Sequence, residues 1–340
     1  MSLIFLNNAG PTGRDIKYTK FLVAHHATPL NGGRSIRDGN KMTKQKMLVL
    51  FSGGRTSAYM TYRLLTECRD EYEMIPVFAN TGQEMNETLD FVHYCDTHLG
   101  FNTVWVEAVV HGGRVATTHK VVTYETAARS GEPFEEVVEK YGIPNRSYLH
   151  CTRELKENPI HSYIRSIGWK KGDYLTAIGI RADEPRRVKR GVSAQNKQVR
   201  VYPLVDIFPA DKLDVLDFWS EQEFDLQIPE HLGNCKACFK KSDSKLQRVY
   251  QDNWHYFDIF AYLENQYGYV GGNSIAGQQS DEPRKFYKGY RSVRDLIASF
   301  DLSEPLPKDD PEAYEGCAAS CEAFMGDDES PAWGIEAEFN

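Results

Sequence analysis

The chain has 340 residues with 41% hydrophobic and 12% aromatic content, enough for a sizeable core in one large domain or one domain with a smaller appendage. No apolar run approaches membrane-span length and the N-terminus lacks a sustained apolar core, so the reading is a soluble, cytoplasmic protein without membrane or secretory segments. The net charge of −8 is uneven: residues 301–340 hold twelve acidic residues against Lys308 alone, giving −11 there and +3 for the rest, a body suited to anionic substrates.

Residues 1–46 carry eight basic residues against Asp15 and Asp38 and little periodicity. A basic, disordered arm is expected. Met42 and Met47 stand just before the first predicted strand, so a mis-called start is an alternative. Met47 to Phe51 then reads as a buried strand, Ser52-Gly53-Gly54 as a tight turn, and Ser57 to Cys68 as a helix. Glycines let the backbone turn and leave no Cβ in the way of a ligand, and a helix start offers unpaired N–H groups. That combination suits an anion, phosphate above all. The G-x-x-x-x-G-K-[ST] loop is absent.

Met74 to Ala79 reads as a second strand, ending in Asn80-Thr81-Gly82 and leading into a helix that runs to Leu99. Thr103 to Val110 is a third strand. Strands alternating with helices predict a parallel sheet, in which ligands sit beyond the strands' carboxyl ends. Residues 111–148 read as an insertion with one helix, Pro133 to Tyr141, and His111, His119 and His150 are expected to be structural or exposed rather than ligands. Cys151 to Pro159 follows, with Lys156 a mobile charge suited to phosphate. Asp173 to Ile180 is a fourth core strand, and Arg181 at its carboxyl end can fork onto phosphate oxygens. Arg186, Arg187, Lys189, Arg190, Lys197 and Arg200 extend a basic loop.

Val199 to Val205 is expected as an edge strand, Pro209 to Glu221 as a helix, Ser244 to Tyr267 as one long helix and Val293 to Phe300 as a short one. Cys235-Lys236-Ala237-Cys238 offers two thiolates to one metal or to each other. With Cys151 there are three soft ligands, and Cys317 or Cys321 in the tail is a candidate fourth. Zinc, an iron–sulfur cluster and a redox dithiol all fit such thiols. Cys68 and Cys95 lie on predicted helices and are read as packing residues.

Several of these segments share a resemblance. SGGRTS resembles the SGG-x-x-S loop of the PP-loop ATP pyrophosphatases, within the adenine nucleotide alpha hydrolase-like superfamily. NTGQEMNET resembles the DTG-x4-ET segment of the PAPS (phosphoadenosine phosphosulfate) reductase branch, with Asn80 where a carboxylate is usual. Cys151 to Pro159 resembles its C-x4-K-x-x-P segment, and GIRADEPRR its GIRADES-x-R segment; Pro203, Leu204 and Trp219 also fall in matching places. The resemblance covers Met47 to Trp219, with Cys-x-x-Cys as a looser fifth segment.

What the resemblance implies is a Rossmann-like parallel sheet with helices on both faces and a helical C-terminal region. The expected division is an arm (1–46), a PP-loop domain (47–225), a Cys-x-x-Cys and helical region (226–300) and an acidic tail (301–340). An adenine nucleotide, ATP or PAPS, is expected on Ser52, Gly53, Gly54, Arg55, Thr56, Ser57, Asn80, Thr81, Gly82, Arg181 and Asp183, with Lys156 and Arg181 catalytic and Mg²⁺ accompanying ATP. The resemblance also implies a [4Fe–4S] cluster on Cys151, Cys235 and Cys238, with zinc the alternative. The expected activity is ATP α-phosphate hydrolysis or adenylation coupled to sulfur transfer onto a nucleic acid or small molecule, with a sulfur donor protein or thioredoxin as partner and a homo-oligomer as an option. A sulfonucleotide reductase releasing sulfite is the alternative, weakened because no Glu-Cys-Gly-x-His tail is present. A non-catalytic nucleotide and cluster sensor is the third reading.

Overall fold

The five apolar residues from Met47 to Phe51 run through the middle of a six-stranded sheet. The computed structural model describes residues 44–188, 199–233, 235–271 and 280–303. Its strands are β1 (Gln45–Leu50), β2 (Tyr72–Asn80), β3 (Val104–Val109), β4 (Thr118–Val122), β5 (Tyr174–Ala177) and β6 (Arg200–Val201), in the order β4-β3-β2-β1-β5-β6. Every neighbouring pair is parallel except β3 with β4. The fold is therefore α/β and Rossmann-like, with a helical C-terminal region, as the strand–helix alternation predicts.

Successive residues of a strand point to opposite faces, and a sheet covered on both sides needs apolar residues at every position. β1 obeys this. Met47, Val49 and Phe51 join one core with Phe78 and Trp105, while Leu48 and Leu50 join another with Val77, Ile160 and Ile178. Helices α1 (Arg55–Glu67) and α2 (Asn86–Leu99) contribute Met60, Leu64, Leu89 and Val92 to the first core. Cys68 and Cys95 are buried in it, as expected of packing residues.

A third core joins the insertion to the C-terminal region. Helix α3 (Glu132–Tyr141) places Phe134, Val137 and Val138 against Phe257, Phe260, Leu263 and Phe286, and the same core includes Ala237 and Phe239 of the Cys-x-x-Cys stretch.

Four elements depart from the sequence expectation. The insertion contains β4, antiparallel to β3; none of its THKVV residues is fully buried, and the stretch carries no apolar alternation to reveal it. The predicted edge strand is at the sheet's edge but ends early, because Pro203 opens helix α5 (Pro203–Asp206), a position where its missing N–H is harmless. Helix α6 spans only Lys212–Ser220, since Asp211 and Asp214 close a capping box at its start. The predicted long helix is broken into α7 (Asp243–Asp252), a 3₁₀ turn (Trp254–Phe257) and α8 (Asp258–Tyr267). At the break Asn253 is extended, and its side chain accepts from the His255 amide in place of the helical bond. Helix α9 spans Val293–Ala298.

Between β4 and β5 the chain crosses over in helix α4, made of His150–Thr152, a π turn at Arg153–Glu157 and Asn158–Ser166. In the π turn the Asn158 amide reaches back five residues to the Arg153 carbonyl. Pro159 explains the wide turn, because it has no N–H for the carbonyl four residues before it.

Candidate functional site: three strand ends and a cysteine loop

Neighbouring strands β2, β1 and β5 each deliver one of the predicted motifs at their carboxyl ends. After β1 the chain turns through Gly53 at φ +79°, the left-handed region that favours glycine. A Cβ there would stand 2.7 Å from Thr88 Cγ2 and 3.1 Å from Phe78, so the close packing of α2 under the loop also demands glycine. Gly54 differs. It is extended, and an added Cβ would meet only Ser52 Oγ at 3.9 Å, leaving open space where a ligand would approach.

Ser57 ties the loop together. Its Oγ accepts from the Ser52 amide at 3.1 Å, donates to Gly54 O at 3.0 Å, and lies 2.9 Å from Ser52 Oγ. Helix α1 begins at Gly54 with no side-chain cap and no acidic residue in its first turn. Its first backbone bond runs from the Ala58 amide to Gly54 O, and among the described residues no acceptor meets the amides of Gly54, Arg55 and Thr56. A thirteen-residue helix that starts this way presents partial positive charge and directed donors.

Arg55 points elsewhere. Its guanidinium forks onto Asp225 at 2.7 and 2.8 Å and donates to Leu226 O at 2.6 Å, while its own carbonyl accepts from Trp219 Nε1. The Arg55 side chain is thus a tether for the loop after α6, and only its amide faces the anion position. Asp225 is a residue that the sequence pattern did not flag.

The end of β5 closes on the same helix start. Gly179 lies so near that a Cβ would be 3.0 Å from Ser57 Cα. Two residues on, Arg181 donates from Nη1 to Thr56 Oγ1 at 3.3 Å and from Nε to Asp183 Oδ1 at 2.8 Å, and its amide donates to Glu184. The structure therefore brings Gly53, Thr56, Ser57 and Arg181 together. Asp183 faces the Arg181 guanidinium, where it orients the cation and competes with an incoming anion for it.

At the end of β2 the polar groups are consumed internally. Asn80 Nδ2 donates to Glu107 Oε1 at 2.6 Å and Ala128 O at 2.8 Å, and its Oδ1 accepts from the Gly82 amide at 3.2 Å. Glu107 is fully buried in β3, accepts the Ala128 amide at 2.7 Å and meets Lys120 Nζ at 3.0 Å. A carboxylate at position 80 would face that buried carboxylate, which is a physical reason for Asn80. Thr81 donates from its amide and Oγ1 to the Glu84 carboxylate at 2.9 and 2.8 Å. Gly82, at φ +76°, leaves room for Gly131, whose Cα would lie 3.0 Å from an added Cβ. Glu84 and Glu107 were legible as signals, the first from Thr-x-x-Glu spacing and the second as a charge within an apolar strand.

Lys156 sits in the π turn of α4, which packs against β2 and β3. The same turn is anchored by Glu154, which accepts from Thr117 Oγ1 at 2.5 Å and from Asn158 Nδ2 at 3.0 Å. Thr118, the next residue, pairs with Val109 at the carboxyl end of β3. Lys156 is thus on a turn two strands from the glycine loop, at the same end of the sheet.

The Cys-x-x-Cys loop docks on the β2 turn. Cys235 Sγ lies 3.8 Å from Thr81 Oγ1, and the Lys236 amide donates to Gln83 O at 3.2 Å. Cys238 is buried. Cys151 packs against the core that also holds Ala237 and Phe239. Beside it, burial pushes the His150 imidazole down to about 4, so the ring is neutral at pH 7 and its Nε2 donates to Gly142 O. His111 and His119 bond to Thr118 and Ser162, the structural roles expected of them. Among the described residues no group of three or more His, Cys, Asp or Glu side chains is gathered closely enough to hold a metal ion. Cys317, Cys321, the arm before residue 44, most of the basic loop and the acidic tail lie outside the described residues.

Fold and site together define an α/β protein with an anion-ready helix start at the centre of a mostly parallel sheet. No family model matches the chain. It is 31% identical over 290 residues to the uncharacterized nin region protein ORF290 of Escherichia phage lambda, covering 82% of this chain and 95% of that protein. The chain belongs to the family of that phage protein. Two uncharacterized proteins of Methanocaldococcus jannaschii, MJ0066 and MJ0973, are each 26% identical over 175 and 170 residues, half of this chain but only 31% and 34% of their own lengths.

Proposed function

We propose that this protein is a PAPS reductase-family PP-loop enzyme that holds an adenine nucleotide with its phosphates on the Ser52–Ser57 loop. In the favoured form it uses ATP: an acceptor oxygen attacks the α-phosphorus, the bond to pyrophosphate breaks, and the adenylated acceptor becomes the substrate for sulfur transfer. The observation that carries the reading is the uncapped start of α1, where the Gly54, Arg55 and Thr56 amides meet no acceptor among the described residues and Arg181 stands against Thr56.

The residues have distinct parts. The amides bind the phosphate oxygens and are already oriented, so little reorganisation accompanies the charge that develops at phosphorus. Arg181, held in place by Asp183 and Glu184, supplies a fixed cation, and Lys156 a mobile one. Asn80, Thr81 and Gly82 shape the neighbouring wall instead of donating to the ligand. If ATP is the nucleotide, an accompanying Mg²⁺ would supply counter-charge to the leaving pyrophosphate. No step is routed through an iron–sulfur cluster; among the described residues no group of three or more metal-binding side chains is gathered. Among the described residues no helix is long and apolar enough to cross a membrane; a cytoplasmic site of action, a nucleic-acid or small-molecule acceptor, a sulfur donor protein and self-association belong to this proposal.

Purified protein with ATP and Mg²⁺ is expected to release pyrophosphate slowly without an acceptor and faster with one. Sulfite release from PAPS with reduced thioredoxin, and no pyrophosphate from ATP, would replace adenylation by reduction. Failure to bind either nucleotide would remove both.

A further inference from the structure

We propose that Cys235 and Cys238 form a redox-active dithiol that closes to an intramolecular disulfide, with Cys235 as the attacking thiol and Cys238 as the resolving one. The inference stands on the cysteine loop alone and goes beyond the nucleotide reading.

Three observations carry it. First, the geometry fits: the Cys238 amide donates to Cys235 O at 3.4 Å, a four-residue turn. Such a turn brings its end Cα atoms within about 7 Å, against about 4.4–6.8 Å across a disulfide. Second, the two thiols are unequal. Cys235 is partly exposed beside Thr81, whereas Cys238 is buried. An accessible thiol is the one an external disulfide can reach, and a buried neighbour is placed to displace the adduct. Third, the loop is clamped from below. Buried Lys241 donates to the carbonyls of His231 at 2.7 Å and Lys236 at 3.0 Å, and Tyr287 donates to Ala237 O at 2.9 Å. Burial pushes the Tyr287 phenol well up, so it stays a protonated donor.

With a small dialkyl disulfide as oxidant, the Cys235 thiolate attacks one sulfur, forming a mixed disulfide and expelling one thiolate. Cys238 then loses its proton and attacks Cys235 Sγ, the mixed disulfide breaks, and a second thiol leaves. Two electrons pass from the protein pair to the reagent, which becomes two thiols.

The test uses the full chain, purified without oxygen, reduced, desalted and exposed to oxidised glutathione without nucleotide. Peptide mass mapping is expected to show loss of two hydrogen atoms from the segment holding Cys235 and Cys238, reversed by reductant. C238S is expected to retain one glutathione adduct at Cys235, and C235S to show neither adduct nor disulfide in that segment. A lasting adduct on the wild-type chain, a bond from Cys235 to Cys151 instead, or stoichiometric iron or zinc on the anaerobic protein would overturn the proposal. None of these results bears on whether ATP binds, so the dithiol and the nucleotide site fail separately.

Discussion

Two glycine turns stand side by side at the carboxyl ends of β1 and β2, and they treat hydrogen bonds in opposite ways. Ser52-Gly53-Gly54 opens a helix whose first amides are without an acceptor among the described residues, and its one serine clasp, Ser57, braces the loop from within. Asn80-Thr81-Gly82 spends its side chains on Glu84, Glu107 and Ala128 O. The amides of a helix's first turn have no intrahelical acceptor, so this partly exposed donor set is open to an anion or to water. On the reading proposed above, the first turn receives the ligand, whereas the second spends its polar groups within the framework.

That contrast can be broken from either side. Gly54→Val adds bulk where the fold has room, at a backbone angle any residue adopts. ATP affinity is expected to fall roughly 100-fold, about 2.7 kcal/mol, with the melting temperature unchanged. Calorimetric titration beside a thermal melt checks both, and unaltered affinity would place the ligand elsewhere. Glu107→Ala attacks the framework instead. It removes the acceptor of one Asn80 Nδ2 N–H and of the Ala128 amide, each worth about 1–3 kcal/mol when left buried and unpaired; denaturant unfolding should show that loss while the folded fraction still binds ATP.

Asn80→Asp sharpens the same point through pH. The introduced carboxyl would lie against Glu107, so its folded pKa rises above the unfolded value of about 3.9. A raised pKa means stability that is present in acid and lost as pH rises through the folded value. The variant should therefore be about 1–2 kcal/mol less stable than wild type at pH 7, the gap narrowing toward pH 4. A gap that widens in acid would contradict the Asn80–Glu107 contact. Ser57→Ala is expected to have the smallest effect, about 1 kcal/mol of stability and a several-fold loss of affinity, as the loop loses its clasp without gaining bulk.

How much of this was legible beforehand follows the same division. The unbroken apolar run of β1 is readable because both of its faces are buried, and Gly53 is readable because a sharp left-handed turn under α2 admits little else. Local chemistry reaches that far. The Arg55 tether was not legible, since Asp225 is 170 residues away in sequence and no spacing rule links them. Nor was the docking of Cys235 on Thr81, which depends on a third core shared by α3, α8 and the cysteine loop. β4 is not legible because an edge strand without a fully buried residue has no face to pattern, and the break in the single expected helix is hidden because one Asn cap interrupts an otherwise continuous apolar stripe.

The most direct measurement is amide chemical shift on titration with a non-hydrolysable ATP analogue. The largest changes are expected at Gly54, Arg55, Thr56 and Ser57, with a smaller one at the Arg181 side chain and almost none at Thr81 and Gly82. Shifts concentrated on Thr81 and Gly82, or spread evenly with the helix start silent, would contradict the assignment of the anion to α1.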